Sequence, residues 1–303
     1  MIIVNYLKKI IINPLNINCH QLDKMKGKGQ TITITFSNRI ESNDRNENLG
    51  GGNKAGYSIS ELQTIERRFV AAGLTCELIK LHENVQDIEE VLRAELAEAA
   101  VLVVRNAVDR LGRRELPSDD SLIPVVLPSE ELLAELVELD WDKKGKSRQH
   151  KKVVNKKARY NLTFSEQGRK PNYEVGEGRV VAWSELPLLN LVRSNLPYWF
   201  GPKSDQMFGE GNQYYDVKRT GILFHGDNWR KIVIGLRIGE TFPLHFQWYH
   251  WCKPIGKRFS IDLNNGDMYV MSEKAVGTDW LTQRIPTLRH AAGFPEYLKL
   301  DKQ

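Results

Sequence analysis

Polar and apolar positions first alternate at TITITF (31–36), where Thr31, Thr33 and Thr35 interleave with Ile32, Ile34 and Phe36. A period of two predicts a strand with one polar and one apolar face. The polar, Gly-rich SNRIESNDRNENLGGGNKAG (37–56) reads as a long loop. A helix is expected from a Ser58 or Ser60 cap through Glu61 and Leu62 to Ala72, with Gly73 as its stop. CELIKL (76–81) reads as a strand. Asp87 to Ala99 reads as a helix on the spacing of Ile88, Val91, Leu92 and Leu96, and AVLVVRN (100–106) as a nearly continuous apolar strand. This β-α-β-α-β order predicts a small parallel α/β domain over 30–142. It lacks a G-x-G-x-x-G turn and a P-loop lysine motif, so a structural or recruiting role is expected rather than a nucleotide site.

Another amphipathic helix is expected at Ser129–Leu139, with Leu132, Leu133, Leu136 and Val137 on one side. Beyond residue 143 the pattern breaks into short β-like pieces rich in Trp, Tyr, Phe and Gly: 178–184, 219–225, 231–239, 242–251, 258–263 and 267–272. Many short strands with turn signals between them indicate a sandwich or barrel, and the preferred reading is a jelly roll. The fold class expected is therefore α+β: a lead-in over 1–29, the small α/β domain over 30–142, and a jelly-roll (double-stranded β-helix) domain over 143–303.

Composition narrows the setting. With 303 residues and 41% hydrophobic content, the chain can bury a full core, and 27% charged residues argue against global disorder. No run approaches 18 consecutive apolar residues, so no spanning helix and no membrane partner are expected. MIIVNYLKKIII is followed by Asn-Pro-Leu-Asn rather than by a small-residue cleavage site, and does not read as a secretory signal. Cys19, Cys76 and Cys252 are too few and too scattered for a disulfide framework or a Cys-type zinc site. An intracellular setting, cytoplasmic or nuclear, is expected.

The net charge of +5 permits an anionic partner without demanding one. Its distribution is more specific. KKGKSRQHKKVVNKK (143–157) holds seven lysines, one arginine and no acid. It reads either as a solvated linker or as a segment that binds phosphates.

The first candidate chemistry is His225-Gly226-Asp227 at the end of a strand. An H-x-D places an imidazole and a carboxylate on the same side of extended chain, where both can reach one metal. A 2-His-1-carboxylate face needs a second histidine, and His245, His250 and His290 are available. His245 and His250 have opposite parity in FPLHFQWYHW and each reads as a hydrogen-bonded strand histidine. His290 follows a strand and a loop, where a jelly roll brings a late strand back beside the H-x-D.

RYNLTF (159–164) resembles the C-terminal strand of the AlkB family of Fe(II)/2-oxoglutarate dioxygenases. GNQYYDVKRTGILFHGDNWRKIVIGLRIGETFPLHFQW is similar to that family's Asn/Tyr strand, metal-binding H-x-D and following strands, and NNGDMYVMSEKAVGTDW to the strand before its distal histidine. The matched regions, about 155–166 and 207–293, cover nearly a third of the chain. The resemblance implies that His225, Asp227 and His290 bind Fe(II), leaving three positions for 2-oxoglutarate and O₂. It implies that Arg159 grips the co-substrate's distal carboxylate, that Asn212 and either Tyr214 or Tyr215 hydrogen-bond it, and that Asn161 orients these groups. It further implies hydroxylation or oxidative demethylation, with an alkylated or methylated base in DNA or RNA as the favoured substrate. Residues 143–157 would then track phosphates.

Trp199, Phe200, Trp229, Trp248 and Trp251 are candidates for stacking on a flipped base, or else barrel core. The family's RYNLTF strand follows the distal histidine, whereas here it precedes the H-x-D by some 60 residues, which implies a circular permutation. If that is not so, Lys299 and Lys302 are the cations after His290. Ser165 stands where the family usually has a second arginine, for which Arg284 or Arg289 is the expected substitute. Three other readings share parts of this pattern: a dioxygenase acting on a protein side chain or amino acid, a non-catalytic jelly-roll binding module, and a metal-dependent nuclease or hydrolase using acids such as Asp216.

Overall fold

The strand at Thr31–Ser37 (β1) is buried on both faces, and this determines where it sits. In the computed structural model, which describes residues 29–41, 49–51, 54–83, 85–111, 128–147 and 149–300, β1 lies deep inside an eight-stranded sheet. The other strands of that sheet are Cys76–Lys80 (β2), Ala100–Val104 (β3), Tyr160–Ser165 (β6), Val180–Ala182 (β7), Phe208–Tyr214 (β8), Ile234–Gly239 (β10) and Met268–Met271 (β13). Their order is β2-β3-β13-β10-β1-β8-β6-β7. A second sheet, ordered β12-β11-β14-β9, is built from Gly221–His225 (β9), Phe242–His250 (β11), Lys253–Leu263 (β12) and Thr287–Gly293 (β14). Lys144–Lys146 (β4) and Val153–Asn155 (β5) make a separate antiparallel hairpin.

Parity assigns the layers. Ile32, Ile34 and Phe36 of β1 join Leu236 and Ile238 of β10 in a core packed against helices. These helices are Ile59–Ala71 (α1), Ser129–Val137 (α2) and Pro187–Phe200 (α3). The opposite face turns toward the four-stranded sheet. There Val233, Tyr269 and Met271 meet Leu244, Phe246, Trp248 and Leu288 in a second core. The architecture is α+β with two large, mainly antiparallel sheets, compatible with a β-sandwich flanked by helices. No helix of the described residues is long and apolar enough to cross a membrane.

Helix α1 starts as the sequence suggests. Ser58 caps it in a reciprocal capping box with Glu61, and Gly73 beyond its end takes φ +80°. Two expectations are corrected and one element is added. First, β2 and β3 pair antiparallel and β1 pairs with neither, so residues 30–142 do not form a parallel α/β unit. Completely buried β3 needs partners on both edges, and β13 supplies the second, so strands from both sides of the boundary expected near 142 share one sheet. Second, the helix expected over Asp87–Ala99 shrinks to Glu90–Ala94, which has no buried residue. Third, α3 was not anticipated, because Pro197 lies inside it and its Tyr198-Trp199-Phe200 ending reads as β-like. The lead-in over 1–29 falls outside the described residues except for Gly29, as do parts of the 37–56 loop.

Candidate metal centre and its cavity

Strand β9 ends at His225, which pairs in register with His290 on β14, and the pairing shifts register between His290 and Ala292. Such an irregularity beside a site re-aims side chains without ending the sheet. Gly226 then passes against neighbouring backbone: a Cβ there would lie 2.0 Å from Gly277 O and 2.6 Å from Trp280 Cβ. The Asp227 amide donates to Val276 O at 3.1 Å, which fixes the carboxylate beside the two imidazoles. One ligand atom each from His225, Asp227 and His290 lie within 4.8 Å of one another. Nδ1 of His225 lies 2.7 Å from Leu223 O. That contact orients the ring and selects the tautomer leaving Nε2 as the lone-pair donor, the usual outer-shell arrangement of a metal-binding histidine.

Electrostatics suit a cation. Burial holds His225 down to about 4, and holds His290 well below the ordinary histidine value with His225 and Arg230 adding to the effect. Both rings are neutral, as metal ligation requires. Burial pushes Asp227 up to about 7, opposed by Arg230. Arg230 Nε lies 3.2 Å from Asp227 Oδ2 without hydrogen-bond alignment, while its Nη2 donates to Glu210 Oε2, also at 3.2 Å. The carboxylate thus keeps lone pairs for an ion.

These groups open on a cavity of about 70 Å³ between the sheets, lined also by Thr33, Thr35, Asn212, Tyr214, Arg237 and Tyr269. On a scale of about 10–15 Å³ per water, it holds roughly five to seven waters or a small organic acid. Its polar floor is one register row across four strands. Asn161 on β6 faces Asn212 on β8, Asn212 faces Thr33 on β1, and Thr33 faces Arg237 on β10. Asn212 Oδ1 accepts from Arg159 Nε and from Asn161 Nδ2, both at 2.7 Å.

The sequence-derived residues sort as follows. His225, Asp227, His290, Asn212, Tyr214, Asn161 and Arg159 come together. Parity separates the two tyrosines: Tyr214 lines the cavity, whereas Tyr215 stacks on Tyr160 at 4.4 Å and donates to Lys157 O. Arg289 points away from the neighbouring His290, its guanidinium 4.0 Å from the Tyr249 ring centre and 5.1 Å from that of Trp280. Arg284 is exposed in the turn before β14. Neither lines the cavity. His245 bonds Ser260 Oγ at 2.6 Å, and Asp216 holds the Lys218 amide in a turn. Trp199, Phe200 and Trp248 are core; Trp229 and Trp251 are about half exposed. Trp229 carries Arg39 over its ring at 4.8 Å, and its amide donates to Glu41.

RYNLTF forms most of β6. The place between β8 and β10 belongs to β1, and β6 lies on the far side of β8. Arg159 therefore reaches the site from its flank. Sequence reading missed Thr33, Thr35, Glu210, Arg230, Arg237 and Tyr269. Two signals were present: threonines on the alternate face of a strand otherwise fit for core, and a lone arginine within the apolar run 232–239.

No family model matches the chain. Over 270 residues it is 41% identical to an uncharacterized protein of Acanthamoeba polyphaga mimivirus, a match spanning 89% of this chain and 98% of the viral one. The chain belongs to that protein's family.

Proposed function

We propose that this protein is an AlkB-type dioxygenase dependent on Fe(II) and 2-oxoglutarate, built on a jelly roll that β1 closes. The observation that carries the reading is the convergence of His225, Asp227 and His290 at a small polar cavity. The course of the chain supports the roll, since β8, β10 and β13 fall in the large sheet while β9, β11, β12 and β14 fall in the small one. β1 lies between β8 and β10 in the large sheet, and RYNLTF, in β6, lies on the other side of β8.

The donor set fits Fe(II): two neutral imidazoles and one carboxylate on one face, with oxygen and nitrogen ligands only. When bound, Fe(II) with 2-oxoglutarate and O₂ supplies the oxidant that turns a C–H into C–OH, with succinate and CO₂ as co-products. The protein's own groups hold and orient. His225 and His290 present lone pairs and Asp227 a charge, Arg230 keeps Asp227 and Glu210 from repelling each other, and Asn212 and Tyr214 line the co-substrate's space. A base is too large for the cavity beside a co-substrate, so the modified atom reaches it from the mouth.

An alkylated base in DNA or RNA is the favoured substrate because of the basic hairpin. Lys143, just before β4, Lys144 on it, and Lys151 and Lys152 in the turn are exposed. The chain from that hairpin runs directly into Ala158, whose carbonyl accepts from Gly221, and into Arg159 at the cavity. A polyanion bound on the hairpin would lie beside the site rather than across the molecule. The test is anaerobic addition of Fe(II) and 2-oxoglutarate followed by a visible spectrum. A weak charge-transfer band that His225→Ala abolishes is expected, together with succinate formation on methylated oligonucleotides. A folded protein that binds Fe(II) but gives neither band nor succinate overturns the reading and leaves a binding module.

A further inference from the structure

Resting on that reading, we propose that Arg237 on β10 is the residue that receives the remote carboxylate of the 2-oxo acid, with Arg159 as a positioning group at the rim. Arg237 is 1% exposed yet lines the cavity. Among the described residues no carboxylate lies within ion-pair distance of it. Its Nη1 donates to Thr33 Oγ1, its Nε has no partner, and the Phe242 ring lies 5.1 Å beneath the guanidinium. A buried, charged fork with open donors is costly unless an anion completes it. Planar paired donors of this kind match a carboxylate.

Backbone register leaves Arg237 no other orientation. Its neighbours Leu236 and Ile238 pack in the helix-side core, so parity turns Arg237 inward, in the same row as Thr33, Asn212 and Asn161. Gly235 clears the adjacent space: a Cβ there would lie 2.0 Å from Tyr269 Cζ, so the ring of Tyr269 lies over β10 beside the cavity. Arg159 is different. It is only partly buried, and its Nε is already used on Asn212.

Charge counting gives the same partner. The buried ionisable groups at the cavity are Asp227 and Glu210 against Arg230 and Arg237, formally neutral. A divalent ion alone leaves two uncompensated positive charges. A divalent ion with a dicarboxylate leaves none. The cavity therefore takes metal and diacid as a pair, and a 2-oxo acid lacking the second carboxylate lacks the group that Arg237 needs.

The test uses the full chain loaded with Mn(II) under anaerobic conditions, titrated calorimetrically with 2-oxoglutarate and with 2-oxobutyrate, which lacks the remote carboxylate. Wild type is expected to prefer 2-oxoglutarate by about 100-fold or more. Arg237→Met is expected to bring that preference to within a few-fold of one while Mn(II) affinity, measured separately, stays within about threefold. Arg237→Lys keeps the charge without the fork and is expected to fall between, which covers the case in which the Met variant does not fold. Arg159→Met is expected to keep most of the preference. If Arg237→Met or Arg237→Lys retains the full preference, or Arg159→Met abolishes it, the assignment to Arg237 is overturned while the dioxygenase reading stands. If wild type binds Mn(II) but neither acid, both fall.

Discussion

His225 and His290 face each other as register partners across β9 and β14, their ring centres 4.5 Å apart. Two imidazoles this close cannot readily both become imidazolium cations, so His225 adds to burial in holding His290 well below the ordinary histidine value. Adjacent strands thus bring together two of the three candidate metal ligands as a single cross-strand pair, and Asp227, two residues along, is the third.

Metal binding should therefore stabilise the fold through those three residues. Mn(II) at about 100 times its dissociation constant adds roughly 2.7 kcal/mol and is expected to raise Tm by about 5 °C. Asp227→Ala or His290→Ala should remove the increment. Differential scanning calorimetry with and without Mn(II) checks it, and an undiminished increment in either variant would show that the ion binds elsewhere.

Gly226 admits no side chain, because the Gly277 carbonyl and Trp280 occupy the space. Gly226→Ala should push His225 and Asp227 apart. It should cost about 1–3 kcal/mol of stability by overpacking and lower Mn(II) affinity at least tenfold. Titration of the purified variant by calorimetry is the readout.

Asn212 accepts from two side chains with a single oxygen. Asn212→Ala strands both donors and should cost about 1–3 kcal/mol. Asn212→Asp keeps both bonds and should recover most of that in urea denaturation. Equal losses in the two variants would mean that packing, not acceptance, is what Asn212 contributes.

Glu135 on α2 accepts from the Leu188 and Leu189 amides at 2.9 Å, holding the start of α3. Burial raises its pKa despite those bonds. Because the folded chain keeps this proton to higher pH than the unfolded chain does, its contribution is complete at low pH and is lost as pH rises through the folded value. Glu135→Gln does not titrate, so the stability of the variant relative to wild type should increase as pH rises above the ordinary glutamate value of about 4.3. Urea midpoints measured from acidic to neutral pH decide it; a flat difference refutes the shift.

The basic hairpin gives a salt-dependence test. Changing Lys143, Lys144, Lys151 and Lys152 to Gln should reduce the slope of log affinity against log salt by up to about 3 for a single-stranded oligonucleotide, at about 0.7 per phosphate contact. Anisotropy at several salt concentrations measures it. An unchanged slope would place the nucleic acid on another surface or exclude it.

How far the sequence could be read depended on the range of the cause. Ser58 and Gly73 mark α1 because caps are local. The alternation of TITITF marks a strand for the same reason, and spacing alone puts His225 and Asp227 on one side. What lies in long-range pairing stayed hidden. Nothing near residue 31 says that its neighbours are β8 and β10, and nothing in RYNLTF says that it pairs with β8 and β7. Arg237 was overlooked because an arginine in an apolar strand has meaning only once the cavity it faces is known. Tyr214 and Tyr215 stood as alternatives until strand parity separated them.

The central place of β1 has a consequence for how the chain is made. The hydroxyl of Thr31 bonds Ile238 O, 207 positions later. At about 5–20 residues per second, a ribosome that has released TITITF needs roughly 10–40 s to deliver the strands that flank it. Throughout that interval an uncharged, β-prone hexapeptide waits with both edges open, the kind of segment that seeds intermolecular pairing. Synthesis of this protein should accordingly depend on chaperone capacity, and the yield of soluble chain should rise when translation beyond residue 37 is fast.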